Sequence, residues 1–107
     1  MPSPGVFLDA FGLQSGTSIA GATIASTYAG HNRVAGGYSY NIVVSLRANY
    51  NGVNATAVLQ GLRQLTGGTR TITYHGKTYT CYVEDFRLTS VSDDTIIFNA
   101  QGTANYA

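Results

Sequence analysis

The stretch Tyr38–Tyr50, YSYNIVVSLRANY, decides the fold. Every even position carries an apolar or aromatic side chain, and Val43 is the only apolar residue at an odd position. A period of two held this long is typical of a β-strand with one buried face and one solvated face. At about 3.3 Å per residue this strand would span roughly 40 Å. The sequence therefore predicts a sheet whose other strands register against this one.

A helix is predicted after a break at Asn51-Gly52. Asn54, or alternatively Asn51, can cap its N-terminus, and Gly67-Gly68 can end it. One helix face is apolar, formed by Ala55, Val58, Leu59, Leu62 and Leu65. Because so short a helix is marginal in isolation, we expect this face to lie on the apolar face of the long strand.

Two further strands form the clearest hairpin, Thr69–Tyr74 and Thr78–Val83, with His75-Gly76 at its tip. The apolar phase then changes, since Phe86 and Leu88 are the next apolar positions. A bulge near Glu84-Asp85 would produce that shift. A turn at 92–94 leads to the last strand, Thr95–Tyr106, which again alternates. The order strand, helix, hairpin, strand predicts an α+β fold, an antiparallel β-sheet or sandwich with one helix packed across it.

Residues 1–37 are expected to form an extended arm, preceding a β-rich domain over 38–107. Alternation across 6–11 would suit one short strand, but the remainder is rich in Gly, Ala, Ser and Thr, a composition typical of loops. Pure linkers rarely carry residues such as Ile19, Ile24 and Tyr28, so we expect neighbouring subunits to order 7–37 wholly or partly. On this hypothesis a chain lacking residues 1–36 still folds but does not assemble. A surface strand of the same domain is the alternative.

The composition is unusual in its charge. Of the 107 residues, 10% are charged, with a single lysine, against about 25% in typical soluble domains. This suits a surface covered by neighbouring subunits, or a virion or extracellular setting; an ordinary monomer with a polar uncharged surface is the alternative. A net charge of +1 argues against specific nucleic-acid binding. No apolar run approaches the roughly 20 residues of a membrane span, and the N-terminus lacks the basic region of a signal peptide, which indicates synthesis in the cytoplasm.

Residue types that could support catalysis are few. Cys81 shares the phase of Tyr79 and Val83, which favours a small buried hydrophobe over a nucleophile. The two histidines, 31 and 75, cannot form a three-ligand zinc site by themselves. The acid pairs 84–85 and 93–94 are each adjacent in sequence, which is more typical of solvated turns than of paired catalytic carboxylates. We therefore predict no enzyme, no cofactor and no metal.

The run TRTITYHGKTYTCYVEDFRLTSVSDDTIIFNAQGTANYA resembles the C-terminal half of small structural proteins of tailed phages, of the tail-tube and distal-tail type. The similarity of pattern covers residues 38–106. It implies a non-catalytic virion part, made in the host cytoplasm, which assembles into rings with its own copies and other virion proteins through sheet edges and extended arms.

The leading hypothesis is thus a self-assembling structural protein. A small carbohydrate- or ligand-binding β-rich module that uses some of the eight tyrosines is the first alternative, and an uncharacterised enzyme is the second. Neither 38–50 nor 95–106 carries a lysine or proline to protect a free edge. At least one of these strands is therefore expected to contact another subunit, through its edge or its polar face. The candidate assembly contacts are Ile19, Ile24, Tyr28, Asn99, Gln101 and Thr103.

Overall fold

A computed structural model describes residues 3–48 and 54–106. Seven strands form one antiparallel sheet that curls into a half-barrel, which confirms the α+β class. The strands are β1 Ser18–Ile19, β2 Ala22–Val34, β3 Gly37–Ala48, β4 Thr69–Tyr74, β5 Lys77–Val83, β6 Arg87–Val91 and β7 Thr95–Tyr106, and the helices are α1 Pro4–Ala10 and α2 Ala55–Thr66.

The long strand β3 lies in the interior of the sheet, as its alternation predicted. The strand order is β1-β2-β3-β7-β5-β4, with β6 paired to β7 on the same side as β5. The even-numbered residues of β3 are buried, namely Tyr40, Ile42, Val44 and Leu46. Strand β7 adds Ile96 and Phe98 to the same apolar face of the sheet. The predicted end of this strand at Asn49 and Tyr50, and the break at Asn51-Gly52, lie outside the described residues.

Helix α2 confirms the predicted helix. The Asn54 side chain caps it, with Oδ1 accepting a hydrogen bond from the Thr56 N–H at 2.9 Å. Val58 and Leu62 are fully buried in the core, and the helix contacts strands β1 and β6. The left-handed residue that follows the helix is Gly68, with φ of 76°, whereas Gly67 is extended.

The predicted hairpin and the predicted phase shift both occur. His75 and Gly76 have φ of 50° and 78°, the conformation that a two-residue loop requires to match the strand twist. After β5, the Glu84 N–H still donates to the Gln101 carbonyl, and Arg87 then pairs with Asn99. Asp85 and Phe86 therefore stand opposite the single residue 100. This extra residue turns Phe86 into the core, where it is 3% exposed.

The N-terminal region differs from the expected arm. Residues 4–10 form helix α1 instead of a short strand, because Ser3 caps it by accepting the Val6 N–H and Pro4 fits its first turn. The apolar spacing of Phe7, Leu8 and Phe11 fits a helix as well as a strand, and the Ser-Pro start decides between them.

Helix α1 is anchored to the sheet by one aromatic contact. The Phe7 ring stacks on Tyr40 of β3 with centroids 4.1 Å apart. It also lies on Gly102 of β7, where an added Cβ would come within 2.5 Å of the ring. Gly102 thus provides the space for a bulky residue on the opposing element. Phe7, Phe11 and Leu13 are at most 1% exposed.

Strand β2 is the second difference. The Gly/Ala/Ser/Thr-rich region forms a 13-residue strand paired with β3 along its whole length. It is the surface strand of the same domain that the sequence left open as the alternative. Ala22, Ile24 and Ala29 face the core, and the two alanines leave room for the nearby helix α1.

We predict that Leu62→Asp abolishes folding. Leu62 is 0% exposed, so the substitution would bury a carboxylate and cost at least about 4 kcal/mol, against about 5–15 kcal/mol for a whole domain. Gln60→Asp, on the exposed side of the same helix, is the matched control and should melt like the parent chain. A cooperative melt of Leu62→Asp near that of the parent would show that this packing is wrong.

We also predict that a chain lacking residues 1–36 does not fold, contrary to the arm hypothesis. The deletion removes β2 and the buried side chains Phe7, Phe11, Leu13 and Ile24. Full burial of each is worth about 1.5–3 kcal/mol. Thermal and denaturant unfolding, followed by circular dichroism, should show no cooperative transition. A cooperative transition in the truncated chain would favour an independent domain over 38–107.

Candidate assembly surface

The six sequence-predicted contacts fall into two groups. Ile19 and Ile24 are 7% and 1% exposed and pack in the core of their own chain, so they are not available to a partner. Tyr28 is 68% exposed. Asn99 and Gln101 are exposed, and Thr103 is half-buried.

The second group shares one surface, the polar face, which is the side of the sheet opposite the apolar face. The register places Tyr28 of β2 beside Val43 of β3, and Val43 beside Asn99 of β7. The next row joins Asn41 to Gln101. Most of the polar face is thus built from amides and hydroxyls.

The structure corrects the expectation of a free edge on 38–50 or 95–106. β3 and β7 pair with each other over eleven residue pairs, and each has another strand on its outer side. Neither needs lysine or proline, because neither has a long unpaired edge. The alternation of both strands indicated burial of one face, but it contains no information on which strand is the neighbour.

The long unpaired edge belongs to β2. Its two-residue turn to β3 closes at Val34 and Gly37, and in an antiparallel hairpin alternate residues direct both backbone groups to the partner strand. Near the start of β2, the Ile24 N–H donates to the carbonyl of residue 17 and the Ile24 carbonyl accepts from the N–H of residue 16, so its backbone groups point away from β3. The bulge between 24 and 26 shifts the alternation by one residue, and residue 24 therefore agrees with the odd-numbered residues that follow it. The outward residues are therefore Thr27, Ala29, His31 and Arg33, which we call the β2 edge.

No backbone hydrogen bond to the β2 edge is present among residues 3–48 and 54–106. The Thr27 side-chain hydroxyl has no hydrogen-bond partner in the described part of the chain, but it is buried on the core side beside Val44 and is not part of this edge. The sequence of this strand contains no lysine or proline. Along its final nine residues β2 therefore lacks the lysine and proline that usually protect a free edge. Arg33 is the charged residue of the β2 edge, and Pro4 of α1 lies beside residues 28–32.

Strand β4 forms the opposite side of the sheet. Its hairpin closes at Tyr74 and Lys77, so Thr71 and Thr73 direct their backbone groups outward; we call these two residues the β4 edge. Thr69 has the same parity, but its carbonyl accepts a hydrogen bond from Arg70 Nη1 at 3.2 Å. Both threonines of the β4 edge are exposed.

Strand β6 is also outermost but is better protected. It has five residues and a register shift in its middle, between Leu88 and Ser90. Short length and irregularity discourage edge pairing. The two edges suited to pairing are therefore β2 and β4, at opposite sides of the sheet.

Cys81 and His75 are placed as the sequence predicted. Cys81 is fully buried, and burial raises the pKa of its thiol to about 11. The thiol is therefore protonated near neutral pH and is not a nucleophilic thiolate. His75 is at the exposed hairpin tip, against Tyr74. Among the described residues, no three His, Cys, Asp or Glu side chains lie close enough to hold a metal ion.

One acid has a defined partner. Asp85 accepts hydrogen bonds from Arg63 Nε and Nη2 at 2.7 and 2.9 Å, a bidentate pair between α2 and the segment after β5. The hydrogen bond from Arg63 lowers the pKa of Asp85. Since both side chains are well exposed, the pair orients this segment and contributes little to stability.

No helix in the described ranges is long and apolar enough to cross a membrane. Comparison with protein-family models, curated proteins and solved structures yields no match to this chain.

Stability should fall as pH rises from 9 to 11. The buried Cys81 thiol ionises near pH 9 when unfolded and near 11 when folded, so its contribution is complete below pH 9 and lost as the pH approaches 11. The full loss is about 2–3 kcal/mol. Denaturant unfolding at pH 8, 8.5, 9 and 9.5 should show the start of this fall below the range in which Tyr40, whose pKa burial also raises, adds to it. Cys81→Ala should flatten it; parallel pH profiles for the two proteins would contradict the assignment.

Proposed function

We propose that this chain is a non-enzymatic, self-assembling structural protein. The observation that carries the proposal is the pair of unprotected edges, β2 and β4, at opposite sides of one sheet. Each offers outward backbone groups with no lysine or proline in its strand. Pairing of the β4 edge of one copy with the β2 edge of the next would satisfy both.

The geometry of that contact favours rings or tubes. The two edges are different surfaces of the same subunit, so the contact is head-to-tail. A head-to-tail contact gives a ring when its rotation closes and an open filament when it does not. The six residues of β4 would pair over roughly 20 Å, so the contact would be extended and formed mainly by backbone hydrogen bonds.

The low charge supports the same proposal. A surface of amides, hydroxyls and tyrosines loses less solvation on contact with a copy of itself than one rich in ionised groups. Together with the resemblance of 38–106 to tailed-phage structural proteins, this favours a virion component, such as part of a phage tail, made in the host cytoplasm and in contact with other virion proteins.

Proline substitutions on the two edges test the proposal. His31→Pro and Thr71→Pro each remove an outward N–H and place a ring against the incoming strand, while edge strands tolerate proline at such positions. Light scattering coupled to size exclusion, over a range of concentrations, should show assembly of the parent chain and its loss in either variant. Thermal melts establish that both variants are folded.

The matched control is the double variant Asn99→Lys with Gln101→Lys on the central strand β7. If edges make the contact, this variant should assemble like the parent chain. Dissociation of the lysine variant with intact assembly of the proline variants would instead assign the contact to the polar face. A parent chain that remains monomeric at all concentrations would overturn self-assembly.

A further inference from the structure

An open groove of about 690 Å³ lies on the polar face, where β5 ends and β6 begins. Asn41 and Val43 of β3 and Asn99 and Gln101 of β7 form its floor. The irregular segment from Glu84, together with Arg87, forms its wall. The extra residue at 85–86 separates the two outer strands, so the groove results from the same bulge that returns Phe86 to the core.

The strand register brings the polar side chains of the floor together. Asn41 is directly opposite Gln101, and Asn99 is directly opposite Arg87. Side chains opposite one another in an antiparallel pair have Cβ atoms about 4.5–5.5 Å apart. Three carboxamides and one guanidinium therefore occupy adjacent positions on one face.

None of these four side chains makes a hydrogen bond or ion pair within the described part of the chain. The neighbouring acid Asp85 differs, because Arg63 binds it through two hydrogen bonds. That pair fixes the wall of the groove and leaves the floor groups available. Each carboxamide offers both a donor and an acceptor, whereas Arg87 offers donors only.

The charges of the groove indicate which ligand class it suits. Asp85 is neutralised by Arg63, and Glu84 and Arg87 balance each other, so the site has no excess charge that would select an anion or a cation. Its volume is within the range of small-molecule sites, about 300–1,000 Å³. Its floor is mostly polar, unlike the apolar lining that such sites usually have.

We propose that this groove binds a neutral oligosaccharide. Closely spaced hydroxyl groups, each a donor and an acceptor, match the three carboxamides, and Val43 can contact an apolar sugar face. The site contains none of the tyrosines that the sequence suggested for sugar binding. It is independent of the proposed assembly, because it uses side chains of central strands and not the backbone edges.

The test is titration of the ¹⁵N-labelled full chain with maltotriose, triacetylchitotriose and lactose, with glucose 6-phosphate as the anionic comparison. The side-chain amide signals of Asn41, Asn99 and Gln101 report binding in the groove. We expect at least one neutral sugar to shift these signals saturably. The double variant Asn99→Ala with Gln101→Ala should weaken that binding about tenfold or more, since it removes the hydrogen bonds of two carboxamides.

Asn105→Ala, on the same face of β7 but outside the groove, is the matched control and should bind like the parent chain. All variants change exposed residues, and melting curves establish that they fold. The proposal is overturned if none of the three neutral sugars shifts the groove signals, if the double variant binds like the parent, or if glucose 6-phosphate binds more tightly than the neutral sugars.

Discussion

The pairing of β3 with β7 is the constraint on which the rest of the structure depends. Both strands are 12 residues long and apolar on one face, so each requires a cover on that face and a partner on its outer side. The helices α1 and α2 cover the apolar face. Strand β2 pairs with the outer side of β3, and strands β5 and β6 pair with the outer side of β7. Because the central pair occupies the middle, the unprotected backbone lies at β2 and β4.

The packing of helix α1 on the apolar face of the sheet depends on the close approach of Phe7 to Gly102. Phe7 reaches the sheet only because β7 has a glycine at 102, and the ring then stacks on Tyr40. Burial raises the pKa of the Tyr40 phenol well above its ordinary value, in keeping with a neutral aromatic core. The N-terminal segment is in this way part of the core, although its composition resembles a linker.

The bulge after β5 has two structural effects. It returns Phe86 to the core after a change of phase, and it opens the groove between β5 and β6 on the polar face. One inserted residue therefore serves the packing of one face and shapes the surface of the other. The hydrogen-bonded pair Arg63–Asp85 connects this segment to α2. One wall of the groove is therefore held by a helix that packs on the opposite face of the sheet.

Local signals in the sequence determined the elements with strong periodicity or defined turn residues: β3, α2 with its Asn54 cap, the His75-Gly76 hairpin, the bulge and β7. They also determined the burial of Cys81, since side-chain alternation is a local property. The helix α1 could have been predicted from Ser3-Pro4. Tertiary structure alone decided that β2 joins the sheet, that β3 and β7 are neighbours, and hence which edges are free and which amides line the groove. The physical reason is that strand pairing is made by backbone groups common to all residues, so a local pattern specifies a strand and its buried face but not its partner.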